Sequence, residues 1–294
     1  MTAVNLSAYL ARIGYTGPLD ASLETLAALH WQHVNRIPFE NLNPLMGQPV
    51  SLALRDLEKK LVMQQRGGYC HEHALLFAQV LRQLGFSVRP LLARVLWGQP
   101  EDARTAASHL LLCVTLAGED YLVDTAFGAL TGVAPLRLHD TALQLTRHET
   151  FRLRTDNDLC TLEALEHGQW RAMYRFALHT AWPADYEMAN WYTACHPSSP
   201  FVSQLMASRV DGTVRHILHN DRYTRRHADG RIERHLLGSA EAVVALLEAM
   251  MDIRLPDRPG LTQRLGDLLR QQLSARLTAD ARDLNRSFIQ ATET

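Results

Sequence analysis

The first 85 residues alternate apolar and polar side chains with the period of an amphipathic α-helix. Apolar positions recur three and four residues apart in four stretches, which are separated by glycines or by a loop with two prolines and two asparagines. The predicted helices are residues 6–13, 23–34, 54–62 and 74–84, and the loop is 36–44. We expect these helices to pack together as an N-terminal bundle.

The middle of the chain changes to the pattern of β-strands. Residues 109–116 and 121–124 flank the turn sequence Ala117-Gly118-Glu119-Asp120, which is typical of a β-hairpin. Further short strands are predicted at 86–97, 150–154, 159–163 and 170–176. Several short antiparallel strands in succession predict a small barrel or a curled sheet.

The last third mixes both patterns. Three stretches have helical spacing, and two have strand character around the turn sequence Asp229-Gly230. The helical stretches are 185–193, 240–251 and 261–277, and the strands are 205–218 and 231–237. The whole pattern predicts an α+β protein.

The length of 294 residues suits two or three packed domains. Boundaries near 85 and 195 divide the predicted elements into a helical bundle at 1–85, an antiparallel β-barrel at 86–195 and a mixed C-terminal domain at 196–294. Hydrophobic residues make up 47% and charged residues 21%, as in a globular protein.

Charge and cysteine content exclude several classes of protein. The formal net charge is −1, which provides no electrostatic basis for binding nucleic acid or an anionic membrane. No apolar run approaches the roughly 20 residues that span a bilayer, and the first residues do not resemble a signal peptide. The four cysteines are widely spaced, without a CxxC pair, which argues against a disulfide scaffold and favours the reducing cytoplasm.

One cysteine lies between a glycine pair and a predicted helix, in Arg66-Gly67-Gly68-Tyr69-Cys70-His71-Glu72. We expect the preceding helix to end where Gly67 and Gly68 break it, so that Cys70 lies at or near the start of the next helix. Unpaired N–H groups and the positive end of the helix dipole favour a thiolate there. A buried core cysteine is the plainer interpretation, but the glycine pair and the helix start favour a reactive thiol.

A cysteine nucleophile needs a base, and the base needs a third group that fixes its tautomer. His71 is expected to point away from Cys70 on a helix, whereas His73 could share its face. The run Cys70-His71-Glu72-His73 lacks a second ligand pair and does not match His-Glu-x-x-His, so no metal is expected. Cys195-His196 is another adjacent pair, which we interpret as a helix end that enters a loop.

His109 is the stronger candidate for the base. It opens an apolar strand, and Asp124 ends the partner strand of the same predicted hairpin. A turn near Gly118 brings both residues to the same end of the two strands. A carboxylate there can accept a hydrogen bond from one imidazole nitrogen and turn the other toward a thiol. The residues therefore predict a catalytic triad of Cys70, His109 and Asp124, with a purely structural His–Asp pair as the alternative.

Several motifs, in this order, resemble those of the arylamine N-acetyltransferase family over nearly the whole chain. Arg66-Gly67-Gly68-Tyr69-Cys70-x-Glu72 is similar to the sequence around the family's nucleophile, and Ile37-Pro38-Phe39-Glu40-Asn41-Leu42 to a second motif. The remaining similarities are Ser108-His109-Leu110 and Val123-Asp124-Thr125-Ala126-Phe127-Gly128, where the family has its histidine and aspartate, and Asn190-Trp191-Tyr192 with His196-Pro197 and Phe201, at the start of its third domain.

The resemblance implies a helical bundle, a β-barrel and a C-terminal α/β lid, with a core like that of cysteine proteases and transglutaminases. It implies transfer of acetyl from acetyl-CoA, through acetyl-Cys70, to an arylamine, arylhydroxylamine or arylhydrazine, with CoA bound between barrel and lid. Phe39, Val95, Phe127 and Phe201 match positions that line the family's acceptor pocket, a flat apolar slot suited to an aromatic ring. Ordinary core positions are the alternative for these four.

Two positions depart from the family's common pattern. Ala74 stands where asparagine is frequent, and Ala126 stands where glycine is frequent. A methyl group at Ala126 is expected to narrow the slot or shift the strand end, which affects the choice of acceptor more than the chemistry. Glu72 is expected to tie down the helix start or the glycine turn, and Arg66 to order that turn rather than bind phosphate.

Two other classes of function stay open. The same three residues would serve a cysteine hydrolase, a thioesterase or a transglutaminase-like enzyme, with water or a lysine amine as the acceptor. A non-catalytic binding protein built on an inactive acyltransferase fold is the third class. The presence of Cys70, His109 and Asp124 together weighs against it.

Overall fold

The computed structural model describes residues 3–255 and 260–292. Its helices are α1 (Leu6–Ile13), α2 (Leu23–Arg36), α3 (Leu42–Leu45), α4 (Leu54–Leu57), α5 (Cys70–Gln83), α6 (Pro183–Cys195), α7 (Pro200–Ser203), α8 (Ala240–Ala249) and α9 (Leu261–Thr292). Its strands are β1 (Phe39–Glu40), β2 (Ser87–Val95), β3 (Ala107–Leu116), β4 (Glu119–Val123), β5 (Leu136–Arg137), β6 (Gln144–Leu145), β7 (Thr150–Asp156), β8 (Leu159–Glu166), β9 (Gln169–Ala177), β10 (Met206–Asp211), β11 (Val214–His219), β12 (Arg222–His227) and β13 (Ile232–Leu236). The α+β class predicted from the apolar pattern is confirmed.

Local sequence signals begin and end the N-terminal helices. At the starts of α1 and α2, the side chains of Asn5 and Ser22 accept hydrogen bonds from the N–H groups three residues later. Gly14 ends α1 in the left-handed conformation, with φ 68°. Three of the four predicted N-terminal helices are confirmed, and α5 begins at Cys70, as expected from the glycine pair and the helical spacing that follows it.

The helix that precedes the glycine pair ends earlier than expected. A π-helical segment, Glu58–Met63, continues α4 and stops before the glycines are reached. Gln65 then reverses the chain with a left-handed φ of 51°. The expectation that Gly67 and Gly68 end this helix is therefore wrong, because the chain has already left it.

The central strands form an eight-stranded antiparallel sheet in the order β5-β4-β3-β2-β9-β8-β7-β6. The predicted hairpin is β3 and β4, joined at Ala117 and Gly118, both of which have positive φ as the tight turn requires. The two edge strands meet through one side chain: Gln144 Oε1 accepts from Arg137 N–H at 2.7 Å, and Gln144 Nε2 donates to the Arg137 carbonyl at 2.9 Å. These bonds leave the sheet barrel-like and nearly closed.

Strand β3 separates two hydrophobic cores. Leu110 and Leu112 pack among the N-terminal helices, whereas Leu111 and Cys113 pack inside the barrel. This alternation follows from the two-residue period of a strand. The helical part and the barrel therefore share a wall, and His109 is in phase with the residues on the barrel side.

A second sheet of five antiparallel strands has the order β1-β10-β11-β12-β13. The single strand predicted at 205–218 is two strands, β10 and β11, which turn at Gly212 with φ 58°. Strand β12 was missed by the sequence analysis, since its residues, Arg-Tyr-Thr-Arg-Arg-His, are almost entirely polar. The sheet recruits β1 from the N-terminal part, where Phe39 and Glu40 pair with β10.

Helices α8 and α9 cover this second sheet. They pack with it around Leu205, Leu218, Val243 and Leu265, which are buried. Helix α9 continues to Thr292, well beyond the predicted end at residue 277. Within the described residues, no helix combines the length and the apolar character needed to cross a membrane.

Candidate active site

Gly67 and Gly68 hold the chain against β1 just before Cys70. Gly68 N–H donates to the Pro38 carbonyl at 3.2 Å, and Glu40 N–H donates to the Gly68 carbonyl at 2.8 Å. A Cβ at Gly67 would lie 2.1 Å from that Pro38 oxygen, and a Cβ at Gly68 would lie 2.6 Å from a carboxylate oxygen of Glu72. The glycines are needed for this close approach, which brings Cys70 next to the β1 segment.

Buried ion pairs fix the same junction. Arg66 donates from Nε and Nη2 to Glu40 Oε1 at 2.9 and 2.6 Å. Glu72 accepts from Lys60 Nζ at 2.7 Å and from the Tyr69 N–H at 3.1 Å, which caps the start of α5. Both expected roles are confirmed: Arg66 orders the turn, and Glu72 ties down the helix start.

Cys70 is the first residue of α5, and its side chain is buried. Its Sγ lies 3.4 Å from Nδ1 of His71 and 3.9 Å from the carbonyl oxygen of Ser108, the residue before His109. The expectation that His71 points away from Cys70 is wrong. At the first turn of a helix the side chains of consecutive residues can still converge on a cleft, and the fully buried His71 does so.

His109 and Asp124 form the predicted pair. His109 Nε2 lies 2.9 Å from Asp124 Oδ2, and both side chains are buried. Asp124 also accepts from the Ala126 N–H at 3.2 Å. With Nε2 donating to the carboxylate, Nδ1 is the nitrogen of His109 that is free to serve a second group.

The charges of this cluster favour an ionised thiol. Burial alone would raise the pKa of Cys70, but the neighbouring imidazole groups of His71 and His109 lower it to about 5. Burial would lower the pKa of His109, but Asp124, followed by Cys70, raises it to about 10. Burial likewise opposes ionisation of Asp124, and His109 outweighs it, so that the pKa of Asp124 is lowered. Both shifts favour a thiolate–imidazolium pair over a neutral thiol and imidazole.

His73, which could have shared a helix face with Cys70, is hydrogen-bonded to other groups instead. Its Nε2 lies 3.2 Å from the Pro38 carbonyl and its Nδ1 lies 2.9 Å from His33 Nε2. The four side chains of the Cys70-His71-Glu72-His73 run therefore have different partners. Within the described residues, no group of three or more His, Cys, Asp or Glu side chains is arranged to hold a metal ion.

Cys70 and His109 open onto an apolar cavity of about 470 Å³. All four residues predicted for the acceptor pocket line it: Phe39, Val95, Phe127 and Phe201. Residues that the sequence analysis did not assign to the pocket also line it, including Trp97, Tyr192, Thr193, Met206, Ile217 and His219. Tyr192 belongs to a family motif and Trp97 follows β2, but the others carry no sequence signal of their own, since α6 and the second sheet bring them there through long-range packing.

The aromatic walls of this cavity meet edge to face. Phe39 and Phe201 are 6.1 Å apart at 69°, and Phe127 and His109 are 5.2 Å apart at 81°. Ala126 is also a lining residue, so its methyl group takes up space in the cavity. Ala74 is buried in the core between the N-terminal helices and β3, outside the cavity lining.

The sequence as a whole matches a known family. A sequence model of the N-acetyltransferase family covers residues 22–259. The chain is 40% identical over 280 residues to the arylamine N-acetyltransferase of Mycobacterium tuberculosis (strain ATCC 25618 / H37Rv), over 93% of this chain and 99% of the relative. The chain belongs to the arylamine N-acetyltransferase family. It is therefore an acyltransferase.

Solved structures of arylamine N-acetyltransferases share its fold. The Mycobacterium marinum arylamine N-acetyltransferase in complex with CoA superposes with a TM-score of 0.86 at 39% identity, over 90% of this chain and 99% of that one. The Salmonella typhimurium arylamine N-acetyltransferase superposes with a TM-score of 0.85 at 31% identity, over 92% of this chain and 100% of that one. The chain therefore has the fold of this family.

Proposed function

We propose that this protein transfers an acetyl group from acetyl-CoA to an arylamine, an arylhydroxylamine or an arylhydrazine, in two steps and with Cys70 as the nucleophile. One observation carries the proposal: Cys70 and His109 line the same apolar cavity, and His109 is hydrogen-bonded to the buried Asp124 behind it. The relatives support the same reaction, because one is named an arylamine N-acetyltransferase and another was solved in complex with CoA.

In the first step the Cys70 thiolate attacks the carbonyl carbon of the acetyl thioester. The bond between that carbon and the CoA sulfur breaks, and the departing CoA thiolate takes the proton of the His109 imidazolium. Acetyl-Cys70 remains. Backbone N–H groups at the start of α5 are the donors we assign to the developing oxyanion, since the first N–H groups of a helix have no partner within it.

In the second step the amine nitrogen attacks the acetyl carbon of acetyl-Cys70. His109, now neutral, takes the amine proton, and the Cys70 thiolate leaves with the electron pair of the broken C–S bond. The imidazolium and thiolate are thereby restored. Asp124 accepts from Nε2 of His109, which keeps Nδ1 directed to the reaction and stabilises the imidazolium.

The cavity suits a small aromatic acceptor. Phe39, Phe127 and Phe201 offer apolar and edge-on surfaces to a flat ring, and Val95 adds an aliphatic wall. A volume of about 470 Å³ accepts one or two rings rather than a peptide. The dimensions therefore favour transfer to a small amine over a transglutaminase-like reaction.

The proposal includes the three-domain layout at 1–85, 86–195 and 196–294, with the last part as the α/β lid and a core like that of cysteine proteases and transglutaminases. CoA is assigned to the cleft between barrel and lid, since both β2 and the β10–β11 hairpin border the cavity. We also assign the protein to the cytoplasm, where its free cysteines would stay reduced.

The test is the mass of the intact protein after mixing with acetyl-CoA alone. We expect a gain of one acetyl group, which is lost when an aromatic amine is added. Cys70→Ser should show no gain and should lose turnover while its fold is retained. Cys195→Ser is the matched control, because Cys195 is a free but exposed thiol and its removal should change nothing.

Each other outcome identifies an alternative. CoA release without added amine would indicate a thioesterase or another cysteine hydrolase. No mass gain and no CoA release would indicate a different acyl donor or a non-catalytic protein. Near-normal turnover in Cys70→Ser would reject Cys70 as the nucleophile.

A further inference from the structure

His71 lies against the reacting sulfur, and the scheme above gives it no role. Its Nδ1 is 3.4 Å from Cys70 Sγ, a hydrogen-bonding distance for sulfur. Its side chain is fully buried, packed edge-on against Tyr69 with ring centroids 5.7 Å apart. Its other nitrogen, Nε2, is buried and has no hydrogen-bond partner among the described residues.

The missing partner at Nε2 decides the tautomer of His71. A proton on Nε2 would be a buried donor with no acceptor in the described part of the chain, which is unfavourable because the desolvation of the N–H group is not compensated. A proton on Nδ1 can instead be donated to the Cys70 sulfur, and a hydrogen bond to a thiolate is charge-assisted. His71 is therefore the Nδ1–H tautomer, with its N–H directed at Cys70.

We propose that His71 is a second imidazole donor to the Cys70 sulfur. It donates a hydrogen bond to the thiolate from α5, whereas His109 interacts with the thiolate from β3. The inference rests on the proposed role of Cys70 as the nucleophile. The donor is strongest for the thiolate and weak for the thioester of acetyl-Cys70, so it favours departure of the sulfur in the second step.

Other titratable groups surround this pair. His109 and Asp124 face it from the barrel, Tyr69 and Glu72 belong to the same helix start, and Cys195 approaches Tyr69 from α6. The test must therefore compare substitutions of His71 that place a nitrogen at the position of either Nδ1 or Nε2. The surrounding titratable groups must stay in place.

The first experiment follows the rate of alkylation of Cys70 by iodoacetamide against pH, read on the Cys70 peptide so that the other thiols do not contribute. His71→Leu removes the donor, and we expect the acid limb of the profile to move up by about one pH unit. His71→Asn has an amide nitrogen at the position of Nδ1 and should keep the limb near that of the parent. His71→Gln has its nitrogen at the position of Nε2 and should behave like His71→Leu.

Two outcomes would overturn the inference. One is a limb that does not move in His71→Leu. The other is a rescue by His71→Gln equal to that by His71→Asn, which would indicate a general packing effect. If His71→Leu does not fold, the comparison of Asn with Gln still decides.

A second experiment needs no folded variant. In the protein labelled with ¹⁵N-histidine, we expect the His71 resonances to show a protonated Nδ1 and a bare Nε2, and the Nδ1 signal to change when Cys70 is alkylated. The opposite tautomer would overturn the inference. Turnover retained in Cys70→Ser would reject the nucleophile and leave this hydrogen bond standing, so the two failures are distinguishable.

Discussion

Two buried cysteines of this protein have opposite acidities. Burial raises the pKa of Cys113 to about 12, whereas the pKa of Cys70 is lowered to about 5 although burial opposes it. The difference lies in the neighbours, since two imidazole rings adjoin Cys70 and apolar barrel residues surround Cys113. At the scale of the residue, reactivity is therefore set by the groups within a few ångströms of the sulfur.

The substitution Asp124→Asn tests whether the carboxylate of Asp124 lowers the pKa of Cys70 by stabilising the His109 imidazolium. The amide cannot stabilise the His109 imidazolium, so the pKa of His109 should fall and that of Cys70 should rise. We expect kcat/KM for acetyl transfer to drop by about three to four orders of magnitude. In the pH profile of the Cys70 alkylation rate, the acid limb should shift from near pH 5 to higher pH.

Asp120→Asn is the matched control for this prediction. Asp120 belongs to the same strand, β4, and pairs with Arg89 at its other end, away from Cys70. It should keep kcat/KM near that of the parent. Activity of Asp124→Asn within tenfold of the parent would contradict the role assigned to Asp124.

At the scale of the element, the start of α5 depends on a strand that is distant in sequence. Just before α5, Gly68 forms backbone hydrogen bonds with Pro38 and Glu40, and the Glu40 carboxylate accepts hydrogen bonds from the Arg66 guanidinium. The sequence analysis interpreted the two glycines as helix breakers from their position between two helical patterns. Their contact with β1 could not be predicted, because it joins segments about thirty residues apart.

Gly67→Ala should disrupt this junction. Its Cβ would lie 2.1 Å from the Pro38 carbonyl oxygen, so β1 must move away or the turn must open. We expect a loss of about 3 kcal/mol in the free energy of unfolding, measured in urea, and slower alkylation of Cys70. Gly238→Ala is the control, since a Cβ there meets nothing within 4 Å. Equal stability of the two variants would contradict the prediction.

At the scale of the whole molecule, buried polar side chains join parts that are far apart in the chain. Asn41 Nδ2 donates to the carbonyl oxygens of Phe201 and Gln204 at 2.8 and 2.7 Å, and Asn41 Oδ1 accepts from the Met206 N–H at 2.8 Å. This amide uses both its donors and an acceptor to connect the N-terminal part to the second sheet. That is why the residues around Phe39 and Phe201 meet at one cavity.

Buried neutral side chains form a chain of hydrogen bonds among the N-terminal helices. His73 Nε2 can only donate to the Pro38 carbonyl, which leaves its Nδ1 to accept from His33 Nε2, and His33 Nδ1 to accept from the Tyr9 hydroxyl at 2.7 Å. His30 contacts the Asp124 carbonyl at 3.2 Å. Burial lowers the pKa of His30 and of His73 to about 4, and burial also lowers the pKa of His33.

These histidines predict a loss of stability in acid. The unfolded chain takes up protons near pH 6.5, and the folded protein does so only near pH 4, so the unfolded state binds more protons between these values. The contribution of these histidines to stability is complete above pH 6.5 and is lost as the pH decreases toward 4, by up to about 1.4 kcal/mol per pH unit for each histidine. Urea unfolding at pH 7.5 and pH 5 measures this.

His30→Gln keeps a nitrogen at the position of Nε2, and with it the bond to the Asp124 carbonyl, but does not titrate. This variant should reduce the pH dependence of the free energy of unfolding by the contribution of one titrating histidine. His179→Gln, at an exposed position, should leave the dependence unchanged. Equal pH dependence in the parent and in His30→Gln would contradict the assignment.

The sequence alone determined the features that depend on neighbouring residues. The helical spacing around Cys70 and the hairpin that pairs His109 with Asp124 follow from local periodicity and turn residues, and both are confirmed in the structure. Strand β12 was missed because its polar residues carry no strand period, and only its neighbours β11 and β13 hold it in place.

Only the tertiary structure decided the direction of His71 and the single cavity shared by residues from β1, β2 and α7. It also decided the acidity of each buried group. These properties depend on distance and burial, since a charge acts on a thiol according to its separation and the surrounding polarity. Sequence spacing describes neither quantity for residues brought together from distant parts of the chain.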